Sequence, residues 1–517
     1  MFPQRSIACV QKLNLTSILQ PLQVFLLLAL GGISATVLYV AFHPPLFLII
    51  AAISLLAAIP LALSFTRQTF FVFLIIRNMA DITSTRTFIT IAGVDLNLSS
   101  VVSILFVAWG LWYFTRYWPL PKFSGNLTLF TFLVTGLLSV ATSLDPVASA
   151  QEYLKFLNLA FALIIAYDIT HTWDDARAIM RTVVLALLVP SIAGFVQLVS
   201  GTGVSVEISN RLYGTYGHPN TFAFALVAAI CAAITLFIST PSQSKKMEAV
   251  AVPIIHSARH IIKTRLPYTT ALAVFGTLLI LTYTRAGWIG LGMVLVWYGM
   301  RFQARATVVI MTALILLWLS FPAARAIVYR MSAYDIGAHT LFRRISSDEE
   351  DTTSFAWRIR SWREVSVKFQ ELPLFGYGVG MFGRVRESTI TYASDLRALE
   401  AHNDYLRLTI ETGYVGAASY AFFLFVLLYK CAVGSFRNPV ALRRRQYTIA
   451  TGCVAAFIVM SITDNILRGT AVGWLFWTIA GCMMAMATHE HTSDQRIVSP
   501  VPIRAATPTN TRSVYDE

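Results

Sequence analysis

Long apolar runs, separated by short polar loops, set the pattern of the whole chain. A run of about 20 apolar residues is long enough to cross a bilayer as a helix. The runs at 68–80 and 287–301 are the weakest, because each is shorter than the roughly 17 residues that a span normally needs. We expect about 12–14 transmembrane helices. The runs predict spans near residues 22–42, 46–65, 68–80, 98–115, 127–143, 154–170, 179–200, 220–239, 267–284, 287–301, 306–321, 408–430, 447–466 and 470–488.

The length of these runs favours helices over membrane strands. Backbone groups in hydrocarbon must be hydrogen-bonded internally, and barrel strands alternate over only about ten residues, which these unbroken runs exceed. Apolar residues make up 56% of the chain and charged residues 13%, with a mean hydropathy of +0.64. This composition excludes a soluble globular enzyme. The expected fold class is all-α, a polytopic membrane helical bundle with one large extracytoplasmic helical loop.

One long polar segment, residues 322–405, interrupts the apolar pattern and divides the chain. The tail after residue 488 is rich in Ser, Thr, Pro and charge, which disfavours a packed core. The first apolar run is too long for a cleaved signal peptide, and we interpret it as a retained span. The predicted regions are a cytoplasmic N-terminal segment (1–21), a transmembrane bundle (22–321), an extracytoplasmic loop domain (322–405), C-terminal transmembrane helices (406–488) and a disordered cytoplasmic tail (489–517).

Lysine and arginine cluster in alternate short loops, which orients the bundle. The positive loops include residues 5–12, 245–265, 301–305 and 430–445. Because short cytoplasmic loops carry the excess of positive charge, both termini are predicted to be cytoplasmic and the long polar segment extracytoplasmic. The formal net charge of +14 then reflects loops that face anionic lipid headgroups. Membrane lipids are the expected partners, and the charge does not require a nucleic acid.

The cysteines do not indicate metal or disulfide chemistry. None lies in the long polar segment and none belongs to a Cys-x-x-Cys motif, so neither a disulfide scaffold nor a zinc site is indicated. No metal site and no cofactor are predicted. The five cysteines are Cys9, Cys231, Cys431, Cys453 and Cys482.

The basic residues of the long polar segment are nearly all arginines, with Lys368 as the one lysine. Guanidinium keeps its charge and grips phosphate with paired donors. Arg358 lies in a stretch, residues 357–365, whose apolar and cationic residues would segregate on an interfacial helix. Two interpretations of these arginines stay open: they bind a pyrophosphate-bearing lipid, or they form salt bridges with the acidic residues nearby.

Closely spaced glycines follow in residues 372–383. Gly376 and Gly378 permit a tight loop with exposed backbone N–H groups. This loop is a candidate anion-binding nest. A flexible turn is the alternative, because Gly-x-Gly-x-Gly alone is a weak motif.

A second group of polar residues precedes the span at 220–239. Arg211 lies in a loop that ends in His218-Pro219-Asn220, and Asn220 is a candidate cap for the helix that follows. A helix N-terminus beside an arginine attracts anions. For His218, the alternative to a substrate contact is an ordinary hydrogen bond within the turn.

Two further candidates stand at the ends of other spans. Arg285 lies between two apolar runs with almost no loop around it, so it is a candidate functional cation, with snorkelling to water as the alternative. His402 and Asn403 come just before the span at 408–430. Histidine titrates near neutral pH and can take a proton from an attacking hydroxyl, with Asp404 or Glu411 available to orient it. A surface histidine without a role is the alternative.

Taken in order, these motifs resemble the O-antigen ligase and O-antigen polymerase family over roughly residues 20–485. The resemblance rests on Arg211-x-x-Gly with the following His-Pro-Asn, Thr284-Arg285-Ala286-Gly287, the Arg358/Trp362 helix before Pro373-Leu374-Phe375-Gly376-x-Gly, and His402-Asn403 with Glu411-x-Gly-x-x-Gly.

The resemblance implies a metal-independent membrane glycosyltransferase of the GT-C type, in the bacterial cytoplasmic membrane, with an extracytoplasmic active site. Its donor would be an undecaprenyl-pyrophosphate-linked glycan, and its acceptor a sugar hydroxyl of another glycan or of lipid A core. By resemblance, Arg211 and Arg285 are the catalytic cations that bind pyrophosphate, and His402 is the catalytic base or orienting group. The substrate-binding candidates are Arg358, His218, Asn220, Asn403, Glu411, Gly376 and Gly378.

The resemblance leaves the exact reaction open. A polymerase would extend O-antigen, capsule or exopolysaccharide and would have a polysaccharide chain-length regulator as a partner, whereas a ligase would use lipid A core. A protein O-oligosaccharyltransferase, a glycan transporter or flippase, and a sensor or scaffold are the other classes. The ionisable candidates cluster at one face, which disfavours a transport path. We expect the long polar segment to close as a lid over pyrophosphate, with Arg358 and His402 on the lid.

Overall fold

A computed structural model of the chain describes residues 62–83, 89–91, 94–119, 123–206, 209–240, 254–320, 354–389 and 399–498. Two short antiparallel hairpins, β1 (Ile89–Ile91) with β2 (Val94–Leu96) and β3 (Val204–Val206) with β4 (Ser209–Arg211), connect helices. The helices are α1 (Thr66–Ala80), α2 (Leu98–Arg116), α3 (Asn126–Ala141), α4 (Pro146–Asp168), α5 (Trp173–Ala186), α6 (Leu188–Ser200), α7 (Pro219–Ser239), α8 (Ile254–Leu281), α9 (Arg285–Phe302), α10 (Ala304–Ser320), α11 (Ser354–Ser366), α12 (Phe382–Glu387), α13 (Asp404–Arg437), α14 (Ala441–Thr463) and α15 (Thr470–Val498).

The predicted fold class, an all-α polytopic membrane protein, is confirmed. Among the described residues, 6 helical segments are long and apolar enough to cross a membrane. The predicted spans at 22–42 and most of 46–65 lie outside the described residues, so the expected total stays a prediction. Helix α15 continues to Val498, beyond the predicted end of the last span. The six segments are α2, the joined α5 and α6, α7, α13, α14 and residues Thr470–Thr488 of α15.

Local sequence signals set the starts of several helices. The Asp145 side chain caps α4 and is followed by Pro146, whose fixed φ and missing N–H suit the first turn. Thr172 and Asp175 form a reciprocal capping box at α5. Asn403 caps α13 by accepting two backbone N–H groups. Each cap satisfies donors that the first helical turn would otherwise leave unpaired.

The centre of the bundle is formed by α7 and α15, which are buried over most of their length. Helix α15 packs along α4, and a Cβ at Gly481 would collide with the Leu163 carbonyl oxygen of α4. Small residues let membrane helices approach closely and gain van der Waals contact. The α4–α15 pair is therefore a tightly packed, rigid wall.

The described part of the long polar segment is helical and has a small core of its own. Helix α11 covers the stretch predicted as a helix and continues through a 3₁₀ turn, Val367–Glu371, into the glycine loop and α12. Val365 of α11, Phe382 of α12 and Ile410 of α13 share an apolar cluster with Ala401. This cluster holds the segment against the start of α13 and so positions the residue after Ala401.

Several helix ends meet at one end of the bundle. The C-terminal end of α1, the N-terminal ends of α2, α4 and α7, and the turn between α14 and α15 line two adjoining cavities. This end holds most of the polar residues singled out in the sequence.

Candidate functional site

A cavity of ≈ 350 Å³, which we call the histidine cavity, lies where α7, α13 and the α14–α15 turn meet. His218, His402, Asp464 and Asn465 line it, together with Arg468. The predicted cap of α7, Asn220, is wrong: Pro219 takes the first helical position, and the cap is His218, whose Nδ1 accepts from the Asn220 amide at 3.1 Å. His402 directly precedes the cap of α13. Two helix starts and one interhelical turn therefore contribute the polar wall of the cavity.

Asp464 connects the predicted site residues across this cavity. Its Oδ2 accepts a hydrogen bond from Asn220 Nδ2 at 2.7 Å, and its Oδ1 lies 3.4 Å from His402 Nδ1. Asn220 Oδ1 in turn accepts from Arg211 Nη2 at 2.8 Å. Arg211, Asn220, Asp464 and His402 thus form one continuous polar chain, although the sequence places them far apart.

The backbone at His402 is held in an unusual conformation. Its φ is 45°, and Tyr283, two residues before Arg285, has φ 50°; no other described non-glycine residue has a positive φ. The Ala401 carbonyl accepts from Trp362 Nε1 at 2.7 Å, and the Asn403 amide donates to Asn465 Oδ1 at 3.1 Å. Both peptide groups beside His402 are therefore pinned by other elements. Positive-φ residues that are held this way tend to occur at functional sites.

Arg211 and Arg358 each interact electrostatically with the Asp464 carboxylate and with Arg285. Arg211 is fixed by its bonds to the Thr282 carbonyl at 2.9 Å and Thr284 Oγ1 at 3.0 Å. Arg285 begins α9 and is exposed. Arg358, on α11, keeps a buried Nε that has no hydrogen-bond partner. Within the described residues, none of the three forms an ion pair with a carboxylate.

The pKa values of Arg211 and Arg358 reflect this crowding of cations. Burial lowers the pKa of both groups first, the charge of Arg285 lowers each further, and Asp464 acts in the opposite direction. Arginine nevertheless stays protonated in proteins. The site therefore carries an excess of positive charge, and an anion would relieve it.

Asp464 is a carboxylate at neutral pH. Burial raises its pKa, but hydrogen bonds from His402, Asn220 and the Asn465 amide, with the charge of His402, bring the net pKa below its ordinary value. The pKa of His218 is also lowered, because desolvation disfavours its charged form more strongly than Asp464 favours it. His218 is therefore a neutral imidazole at neutral pH.

The other predicted residues have structural contacts. The Glu411 carbonyl accepts from Gly378 N at 3.1 Å and from Ser139 Oγ at 2.5 Å, and its side chain is buried beside Arg407. Gly376 and Gly378 adopt positive φ, and the backbone N–H of each donates a hydrogen bond to a backbone carbonyl of the protein. Asn403 uses its side chain to cap α13.

The arginines of the long polar segment differ in their contacts. Arg384 pairs with Asp145 at 2.7 Å, and the fully buried Arg386 lies 3.8 Å from Glu364. The Arg386 pair lies within the segment, as the salt-bridge interpretation predicted, whereas the partner of Arg384 lies outside it. Among the described residues Arg358 forms no such pair, and it faces the cationic site.

The sequence interpretation missed Asp464 and Asn465 as site residues. The signal was present, because both stand in a short polar turn between two buried apolar helices, as Arg285 does. Glu400 and Arg468, which form an ion pair at the cavity, were also missed. Their pairing spans elements that no local motif connects.

Part of the chain matches a known family. Residues 270–421 match the family model described as O-antigen ligase. That range contains Arg285, Arg358 and His402, whereas Arg211 and Asp464 lie outside it. A comparison with curated proteins gave no match. The match supports a glycan-ligating or glycan-polymerising function in a membrane. Together with the membrane-spanning helices, it supports the placement of the chain in the O-antigen ligase and polymerase family.

Proposed function

We propose that the protein transfers a glycan from undecaprenyl pyrophosphate to a sugar hydroxyl, at the outer face of the bacterial cytoplasmic membrane. The observation that carries this proposal is that Arg285 acts electrostatically on both Arg211 and Arg358, which also interact with Asp464, the partner of His402. A pyrophosphate leaving group needs fixed positive charge, and guanidinium groups offer paired donors for its oxygens. The proposed reaction therefore draws on arginine charge rather than on a metal ion.

His402 would act as the base for the hydroxyl of the acceptor sugar. Asp464 faces Nδ1, which favours the tautomer with its proton on Nδ1, where the N–H donates a hydrogen bond to the carboxylate. In this tautomer Nε2 is the basic nitrogen that takes the hydroxyl proton. The acceptor oxygen then forms a bond to the anomeric carbon, while the bond from that carbon to the pyrophosphate oxygen breaks. The proton stays on His402, whose positive charge Asp464 stabilises, and the arginines stabilise the departing pyrophosphate.

The test uses purified protein in lipid nanodiscs with a lipid-linked glycan donor. Arg211→Ala, Arg285→Ala and His402→Ala should each lower kcat by about 10²–10³-fold, measured as new glycosidic product and released undecaprenyl pyrophosphate. Arg384→Ala is the matched control, because Arg384 lies in the same polar segment but forms an exposed ion pair. It should keep turnover near that of the unmodified protein.

Full turnover in the His402 and Arg285 variants would overturn the proposal. Glycan that crosses a vesicle membrane without a new glycosidic bond would instead favour a transporter. Offering a second repeat unit or lipid A core as acceptor distinguishes polymerase from ligase. A polymerase would also be expected to act with a chain-length regulator.

A further inference from the structure

A second cavity of ≈ 470 Å³ adjoins the histidine cavity and extends between α1, α2 and α4. We call it the α1–α2–α4 cavity. The two cavities share His218 and Arg468 as walls. Of the residues singled out in the sequence, only His218 lines this cavity. The proposed transfer reaction gives the cavity no role. Several hydroxyl and amide side chains line it, among them Ser99, Ser103 and Asn158.

The cations of this cavity are all ion-paired, unlike the three arginines of the proposed transfer site, and Arg468 pairs with Glu400 and with Glu152. Arg77 pairs with Asp81 at 2.7 Å, and Lys155 pairs with Glu152 at 2.5 Å. Each cation of these two pairs already has a carboxylate at hydrogen-bond distance. An anionic ligand would therefore gain little here, whereas a neutral ligand with many hydrogen-bonding groups fits the wall.

One buried acceptor points to such a ligand. Asn158 is 1% exposed, and its Nδ2 donates to the Leu154 carbonyl at 2.8 Å. Its Oδ1 is buried without a hydrogen-bond partner, although the side chain lines the cavity. Buried polar atoms are nearly always paired, because an unpaired one loses its water without compensation. A hydroxyl group of a ligand would supply the missing donor.

We propose that the α1–α2–α4 cavity binds neutral sugar units of the glycan, with Asn158 Oδ1 accepting a hydrogen bond from a sugar hydroxyl. A saccharide offers alternating donors and acceptors for Ser99, Ser103 and Gln151, and its C–H face suits Ile104 at the same wall. The shared wall at His218 lets one ligand reach from this cavity to the histidine cavity. The assignment rests on the proposed transfer reaction, and the sugar belongs either to the donor or to the acceptor.

The experiment compares Asn158→Leu with a matched control, Gln446→Met. Gln446 is also buried, donates one hydrogen bond, to Ser239 Oγ at 2.8 Å, and keeps an unpartnered Oε1, but it lines neither cavity. Two probes are titrated: the free oligosaccharide repeat unit released from the host's polysaccharide, and undecaprenyl pyrophosphate without sugar. Asn158→Leu should weaken oligosaccharide binding by about tenfold and leave the lipid pyrophosphate affinity unchanged. Gln446→Met should change neither.

A second variant guards against misfolding at Asn158. Ser103→Leu places an apolar side chain into the cavity from α2 and should also weaken the oligosaccharide selectively. Unchanged oligosaccharide affinity in both variants, or equal weakening of both probes, would overturn the proposal. Steady-state KM measured separately for donor and acceptor identifies which one supplies the sugar. If the unmodified protein forms no glycosidic bond, the transfer reaction is wrong, whereas the binding titration still decides whether the cavity holds a saccharide.

Discussion

Asp464 is the residue on which the site's geometry depends. Its two oxygens face different partners, Asn220 at 2.7 Å and His402 at 3.4 Å. Asp464→Asn keeps the side chain's shape but removes the charge that stabilises a protonated imidazole. We expect kcat to fall by about 10²–10⁴-fold with little change in the KM for the donor. Steady-state transfer assays check this split.

Asp168→Asn provides the control for that substitution. Asp168 ends α4 and accepts from Tyr113 at 2.5 Å, and it lines neither cavity. The turnover of the Asp168→Asn variant should stay near that of the unmodified protein. Equal losses in both variants would mean that Asp464 acts only through general stability.

Asp464 should also make stability depend on pH. Its pKa is lower in the folded protein than the ordinary value of 3.8, so the folded state favours the ionised form. The resulting stabilisation is complete above the ordinary value and is lost as the pH falls through the folded-state pKa. The difference in thermal midpoint between the unmodified protein and Asp464→Asn should therefore stay constant from about pH 6 to about pH 5 and shrink as the pH falls below 3.8. A difference that also stays constant below pH 3.8 would contradict this role.

At the scale of elements, the kink in α13 lets the glycine loop dock. Gly413 has φ 70° and ψ 179°, a region that only glycine adopts readily, and a Cβ there would collide with the Leu374 carbonyl oxygen. Gly413→Ala should destabilise the fold by about 2–4 kcal/mol. Gly292→Ala, in the middle of α9 with open space around it, should be neutral or slightly stabilising. Thermal unfolding in detergent compares the two.

The contact between α11 and the segment before α13 should tune activity. Trp362→Phe removes the hydrogen bond to the Ala401 carbonyl and frees one of the two peptide groups beside His402. We expect kcat to fall by about tenfold, the effect of losing roughly one hydrogen bond. Trp297→Phe, on the exposed surface of α9, should leave kcat unchanged. A kcat equal to that of the control would show that the backbone at His402 is held by other contacts.

At the scale of the whole molecule, the site exists because distant loops meet. Asn220 and Asp464 are 244 positions apart and share one hydrogen bond. The effects of Asn220→Ala and Asp464→Asn on transition-state free energy should therefore be non-additive by about 0.5–3 kcal/mol. Asn220→Ala combined with Gly292→Ala should be additive. A double-mutant cycle on kcat/KM measures both, and additivity in the first pair would argue against a shared network.

The sequence by itself determined the helical membrane bundle and most of the charged candidates, but it gave the wrong cap for α7. Long apolar runs must become helices in hydrocarbon, where no water satisfies the backbone, and this constraint is local. The sequence indicated Arg211, Arg285 and His402 for a related reason. A polar residue at the margin of an apolar run costs free energy, so a functional role is expected for it.

Only the tertiary structure decided which of these residues meet. It connected His402 to Asp464, 62 positions away, showed that the backbones of Glu411 and the glycines bond within the protein, and left Asn158 with an unpaired acceptor beside a second cavity. Hydrogen bonds between helix ends depend on how the helices pack, and packing is set by many weak contacts along their whole length. No local pattern of residues encodes that outcome.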